Sequence, residues 1–217
     1  MYIPRANEET RVEVMHELMR AQAFASLVSL GTNGLFATHL PLVLETDAAR
    51  SQETELGVLK GHISRANPQW RELVAGTDVL AIFAGHHHYI SASWYPGKKE
   101  HGKEVPTWNY AVVHACGPLR VVEDTEWLLA HLTSLTDIHE AGSAEPWRVS
   151  DAPEDWVRGM MKGIVGLQIP IRRLEGKWKV SQNRTPADRR AVADGLKQLG
   201  TAESLAMQAM VEDRGSI

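Results

Sequence analysis

Residues 24–41 read Phe24-Ala25-Ser26-Leu27-Val28-Ser29-Leu30-Gly31-Thr32-Asn33-Gly34-Leu35-Phe36-Ala37-Thr38-His39-Leu40-Pro41. Two short apolar runs, the first punctuated by serines, flank Asn33-Gly34, a pair that tolerates positive φ; this is the pattern of a β-hairpin. The second run continues to Leu44, and Pro41, which has no amide to donate, predicts an edge strand or an interruption there. Upstream, Val12, Met15, Leu18 and Met19 recur at helical spacing, so residues 7–22 read as an amphipathic helix capped by Asn7. Downstream, a polar loop from Glu45 to Glu55 leads to strands at 56–62, 79–84 and 89–95, a basic loop at 96–104 and a long extended run at 105–122. The last third reads as a helix capped by Asp124, a helix at 153–162, strands at 164–174 and 177–181, a helix at 186–199 and a helical tail at 201–217. About six strands with short connections up to residue 122, two more in the last third, and no regular strand–helix alternation predict a mainly β domain: a closed or half-closed barrel with flanking helices.

The chain has 217 residues, a formal charge of −4 and an apolar fraction of 43%. A chain of this length can bury a core without disulfides or a structural metal, and the lone Cys116 excludes a disulfide framework and any multi-cysteine zinc site. The absence of a long apolar run or a signal-peptide core predicts a cytoplasmic protein with no membrane segment. Ten His, and seven Trp against three Phe, point to amphipathic surfaces such as sites and interfaces. The charge is uneven: residues 123–158 carry −7, whereas residues 168–190 carry +5, as a solvated face or a surface for phosphate or nucleic acid.

Several signatures fail on inspection. Gly97 to Lys103 nearly spells a phosphate-binding P-loop, but Glu104 stands where a magnesium-binding hydroxyl is needed. No dinucleotide fingerprint, nucleophile elbow or zinc-protease helix is present. In His86-His87-His88, read as a solvated turn, only His86 and His88 could share an ion, so no metal is expected. Cys116 reads as a packed small thiol. Two segments carry chemistry. Gly61-His62-Ile63-Ser64-Arg65-Ala66-Asn67 passes from a strand toward a helix start at Pro68. It offers side-chain donors and unpaired amides to a phosphate, or else forms a capped turn. Ser93-Trp94-Tyr95 and Val105-Pro106-Thr107-Trp108-Asn109-Tyr110 set aromatics beside amides, which suits either a planar heteroaromatic ligand or an oligomer contact.

These blocks, with Tyr2-Ile3-Pro4, Ala37-Thr38-His39-Leu40-Pro41, Arg65-Ala66-Asn67-Pro68-Gln69-Trp70, Tyr89-Ile90-Ser91, Lys177-Trp178-Lys179 and Ser181-Gln182-Asn183-Arg184, resemble the PaiB-like family of FMN-binding negative transcriptional regulators. The match runs from Met1 to about Leu199, leaving residues 200–217 as a C-terminal tail. Departures are His86-His87-His88, where the family is richer in Pro and small residues, and Ala92, where Pro is usual. The resemblance implies a Greek-key split β-barrel of the flavin-reductase and pyridoxamine-phosphate-oxidase type, a homodimer with FMN between subunits. On that implication Arg65 binds the flavin phosphate in bidentate fashion with Ser64 and His62; Thr38, His39 and Leu40 approach the isoalloxazine; and Trp108, Asn109, Gln182 and Asn183 reach its edge, some from the partner subunit.

The function implied is a flavin-binding repressor. A chain of net charge −4 without a basic recognition helix has no strong footprint for DNA, and only residues 168–190 could supply one. The alternatives are a flavin oxidoreductase using a reduced nicotinamide, with His39 or His62 as acid or base, and, by fold analogy, a haem-binding or haem-degrading barrel.

Overall fold

A computed structural model describes residues 1–46, 55–74 and 76–215. Most of the expected Glu45–Glu55 loop, residues 47–54, lies outside the described residues. In chain order the elements are β1 (Glu8–Glu9), α1 (Val12–Ala21), β2 (Phe24–Gly31), β3 (Gly34–Pro41), β4 (Val43–Glu45), β5 (Val58–Ser64), β6 (Asp78–Ile90), α2 (Gly97–Glu100), β7 (Thr107–Pro118), β8 (Arg120–Val122), α3 (Thr125–Glu140), α4 (Glu154–Met161), β9 (Ile164–Pro170), β10 (Arg173–Lys179), α5 (Pro186–Leu199) and α6 (Ala202–Gly215). They divide into two compact units, one of Met1–Leu18, Ala84–His114 and Glu175–Ile217, the other of Met19–Phe83 and Ala115–Leu174.

The second unit contains the hairpin. β2 and β3 pair from Phe24↔Pro41 to Gly31↔Gly34, and β2 pairs with β6 through Leu27↔Ala81. The tight loop is Thr32-Asn33, one residue earlier than the expected Asn33-Gly34 turn, and Gly34 alone carries the positive φ, +111°. Pro41 ends β3, the last strand of its sheet, and the chain continues into β4 of another sheet, as its missing amide requires. That second sheet has the order β4-β5-β9-β8, all antiparallel. Along β5 the period of two sends Leu59, Gly61 and Ile63 into the core and Lys60, His62 and Ser64 to the other face. Asp124 caps α3 by accepting the Trp127 amide at 2.8 Å. Leu128 of α3 meets Val157 and Met161 of α4, with Trp127 and Ile164 against them.

In the first unit the strand order is β1-β10-β7-β6. Asn7 does not cap α1: it sits buried in a 3₁₀ turn, because Glu8 and Glu9 pair as β1 with Lys177 and Gly176. Burial would raise the Glu9 pKa, but hydrogen bonds from Arg11 and the charge of Arg214 outweigh it and hold the carboxyl at about 2. Thr185 caps α5 and Gly200, in the left-handed region, ends it. The C-terminal tail is the helix α6, anchored by buried Met207 and Val211 and by Arg214 on Glu9.

The strands expected at 79–84 and 89–95 are one continuous strand through Ile90, so His86-His87-His88 lies within β6 and is not a turn. The helix expected at Pro68 is only a three-residue 3₁₀ turn, Pro68–Trp70. Among the described residues ten strands stand where eight or so are expected, since several are too short to show a period in sequence.

Gly117 of β7 packs against the carbonyl of Pro170, and a Cβ there would overlap that backbone oxygen. Backbone cannot rotate away as a side chain can. Gly117→Ala therefore lowers the urea-unfolding free energy by about 3 kcal/mol, or prevents folding.

Candidate functional site

One face of the second unit holds a cavity of about 440 Å³. Its walls are Thr38-His39-Leu40-Pro41 of β3, His62-Ile63-Ser64 of β5, Asn67 in the following turn, and Met160, Gly163 and Ile164 from the α4–β9 junction. The two sequence blocks at 37–41 and 61–67 thus meet, because β3 feeds into β4, which pairs with β5.

The donors are set by local hydrogen bonds. Asn67 accepts the Gln69 amide at 2.9 Å and donates Nδ2–H to Thr38 Oγ at 2.9 Å, while Gln69, fully buried, donates to the Leu27 carbonyl and Ser29 Oγ of β2. Ser64 Oγ accepts the Ala66 amide at 3.2 Å. Each hydroxyl therefore receives a hydrogen bond from the protein and keeps its own O–H to donate. His39 Nδ1 lies 2.9 Å from Ser26 Oγ, and its ring stacks on exposed Phe24. Leu40 is buried, its methyl group beneath Gly61.

His62 extends the site inward. Its Nδ1 is 3.2 Å from Nε2 of His131, which is 3% exposed and has no partner for Nδ1 among the described residues. Trp127 stacks on His131 with ring centroids 5.4 Å apart, and Lys60, paired with Glu45 at 2.6 Å, lies over Trp127. Burial pushes the His131 pKa down to about 4, with the charges of His62 and Lys60 adding to the effect; burial lowers that of His62 too.

The remaining candidates are placed otherwise. Arg65, expected to grip a phosphate, donates Nε–H to the Lys162 carbonyl at 3.0 Å and Nη2–H to the Ile164 carbonyl at 3.2 Å, and pairs with Glu123. The amides expected from a helix start are also engaged: Arg65 N donates to Gly163 O, Asn67 N to Ser64 O. Trp108, Asn109, Gln182 and Asn183 belong to the first unit. Asn109 is buried and donates to Ser181 Oγ at 3.0 Å, and Ser181 adopts φ +65°, a conformation costly for a non-glycine residue. Gln182 accepts the Val180 amide and donates to the carbonyls of Ala6 and Trp178. Asn183 and Trp108 are exposed, Trp108 against His87 and Tyr89. Trp94, an expected ring neighbour, packs on Gly195.

Asn67 and His131 are the polar residues that sequence reading missed as site residues. Asn67 reads as a cap, which it is. His131 interrupts the apolar stripe Trp127-Leu128-Leu132-Leu135, and that interruption is the signal.

Residues 1–173 match the family model described as "Putative FMN-binding domain". The chain is 31% identical over 214 residues to the Bacillus subtilis "Protease synthase and sporulation protein PAI 2", covering 99% of this chain and 98% of that one. It is equally identical over 247 residues to an uncharacterized protein of Emericella nidulans, covering 100% and 98%. Among solved structures, the flavocytochrome Anf3 from Azotobacter vinelandii superposes with a TM-score of 0.60 at 13% identity, over 82% of this chain and 72% of that one. The FAD and heme binding protein from Mycobacterium smegmatis gives 0.58 at 15%, over 79% and 73%.

Because the folded His131 titrates near 4 and an unfolded histidine near 6.5, the unfolded chain takes up the proton first as pH falls. Stability is full above pH 6.5 and declines toward pH 4, by roughly 3 kcal/mol from this group. His131→Leu flattens that decline in urea unfolding measured between pH 7 and 4.

Proposed function

The chain belongs to the PaiB-like family of FMN-binding split-barrel proteins, and on that premise we propose that it is a flavin-binding negative regulator of transcription. The observation that carries the regulatory reading is the match, over essentially the whole of both chains, to the Bacillus protein named for protease synthesis and sporulation.

FMN is the cofactor, and the donor set of the cavity fits its phosphate: two hydroxyls with O–H to give, beside an imidazole that stays uncharged near neutral pH. Thr38, His62 and Ser64 would hold the phosphate, with His39 and Leu40 toward the ring. When bound, the flavin supplies one- and two-electron redox chemistry. Arg65, engaged with Glu123 and two carbonyls, ties the end of β5 to the start of β9.

Direct DNA contact through residues 168–190 has little support. Arg172 faces Asp78, Arg184 pairs with Glu104 and lies over Tyr95, Lys177 covers Tyr110, and Lys179 donates to Thr107 and the Trp108 carbonyl. Cations held in this way cannot release many counterions from a duplex. We therefore place the regulatory output on a protein or metabolic partner. The exposed Trp108–Tyr89 patch is the surface we assign to a second copy of the chain.

In a flavin-fluorescence titration, Thr38→Val and Ser64→Ala each weaken FMN binding about tenfold. Unchanged affinity in both would move the phosphate elsewhere. In cells, the double variant relieves repression as deletion of the gene does, and the purified protein gives no salt-sensitive retardation of promoter DNA.

A further inference from the structure

We propose that His131 is a positioning residue: its Nε2–H donates to Nδ1 of His62 and so fixes the tautomer in which His62 offers Nε2–H to the cavity. The proposal rests on the assignment of the flavin phosphate to that cavity.

A contact of 3.2 Å between two imidazole nitrogens needs one donor and one acceptor, and neutral rings allow two arrangements. In the first, His131 donates. Its buried Nδ1 is then a bare acceptor, and His62 carries its proton on Nε2, on the opposite side of the ring from His131. In the second, His62 donates from Nδ1. His131 must then carry its proton on Nδ1, leaving a buried N–H without a partner, and His62 turns a bare lone pair toward the cavity it lines.

Two considerations choose the first. A buried N–H left unpaired is rarer in proteins than an under-satisfied acceptor. A lone pair aimed at a phosphate oxygen is repulsive, whereas an N–H there is a hydrogen bond to an ion. Both rings are uncharged near neutral pH, so the donor exists without an imidazolium.

The packing behind the pair is consistent with a fixed ring. β5 pairs with β9 so that His62 stands opposite Gly166, and the missing side chain of Gly166 leaves room for Trp127, which stacks on His131. Lys60, whose ammonium lies over Trp127, is paired with Glu45.

The test uses the full-length protein. Two-bond ¹H–¹⁵N correlation of ¹⁵N-histidine-labelled, flavin-free protein is expected to show both His62 and His131 protonated on Nε2; an Nδ1-protonated His131 overturns the proposal. FMN titrations then compare variants. His131→Gln, whose amide can donate near the position of Nε2, keeps affinity within about threefold, whereas His131→Asn, too short to reach, loses about tenfold. Equal affinities for the Gln and Asn variants overturn the positioning role. Ser64→Ala separates the two ideas. If it weakens FMN binding while His131→Asn does not, the site stands and the inference fails. If neither changes binding, the site assignment fails, and the tautomer measurement alone still decides the hydrogen bond.

Discussion

The antiparallel register of β5 on β9, running from Val58↔Pro170 to Ser64↔Ile164, is the constraint from which the site follows. Strand periodicity puts Lys60, His62 and Ser64 on one face, and the register brings that face against α3 and the α4–β9 junction. A shift by one residue would send His62 and Ser64 into the core and Gly61 and Ile63 outward, burying an imidazole and a hydroxyl where Leu40 and Leu42 now pack. A Cβ at Gly61 would press on the Leu42 methyl group, and one at Gly166 would overlap the Trp127 ring, so either would force its neighbour to move. These two glycines, on paired strands, hold the register from opposite sides.

Electrostatics turns on which cations remain available. The +5 stretch looks like a surface for an anion when it is read as a string of charges, but the fold directs Arg172, Lys177, Lys179 and Arg184 onto carboxylates, aromatic faces and carbonyls. Lys179 is held partly out of water, and its pKa is lowered by burial and by the like charges of Lys177 and Arg184. The acidic stretch behaves differently. Residues 123–158 line α3, α4 and a cavity of about 750 Å³ whose walls include Asp137, Glu140 and Glu154 beside Trp147 and Val157. Among the described residues, no helix is long and apolar enough to cross a membrane.

What the sequence conveyed depended on how local the physics was. The hairpin at 24–41, the Asp124 cap and the break at Pro41 follow from one or two residues acting on their own backbone, and all are present. The convergence of 37–41 with 61–67 came through family resemblance, because no local rule says which strands will be neighbours. Failures occurred where a distant partner decided the outcome. Asn7 cannot be a cap once Glu8 and Glu9 pair with a strand some 170 residues away. The His86-His87-His88 run looks like a turn until its neighbours extend it into β6. His131 stayed hidden because a single histidine in an apolar stripe is more often a core residue, and only the position of His62 gives it a role.

Arg65 shows that residue type alone does not say what a cation is for. A guanidinium beside a glycine-containing strand end is the expected anchor, since its planar fork matches a phosphate. In this chain the same fork matches two carbonyls and the Glu123 carboxylate, which close the gap between the end of β5 and the start of β9. Those contacts use three of its five N–H donors and fix the plane of the fork, so a phosphate would be met only by the donors that remain. Thr38 and Ser64 need release nothing, since their accepted hydrogen bonds leave the O–H to donate. In the site we propose, the neutral groups, already oriented from within, are the ligands, and the charged one holds the frame in which they stand.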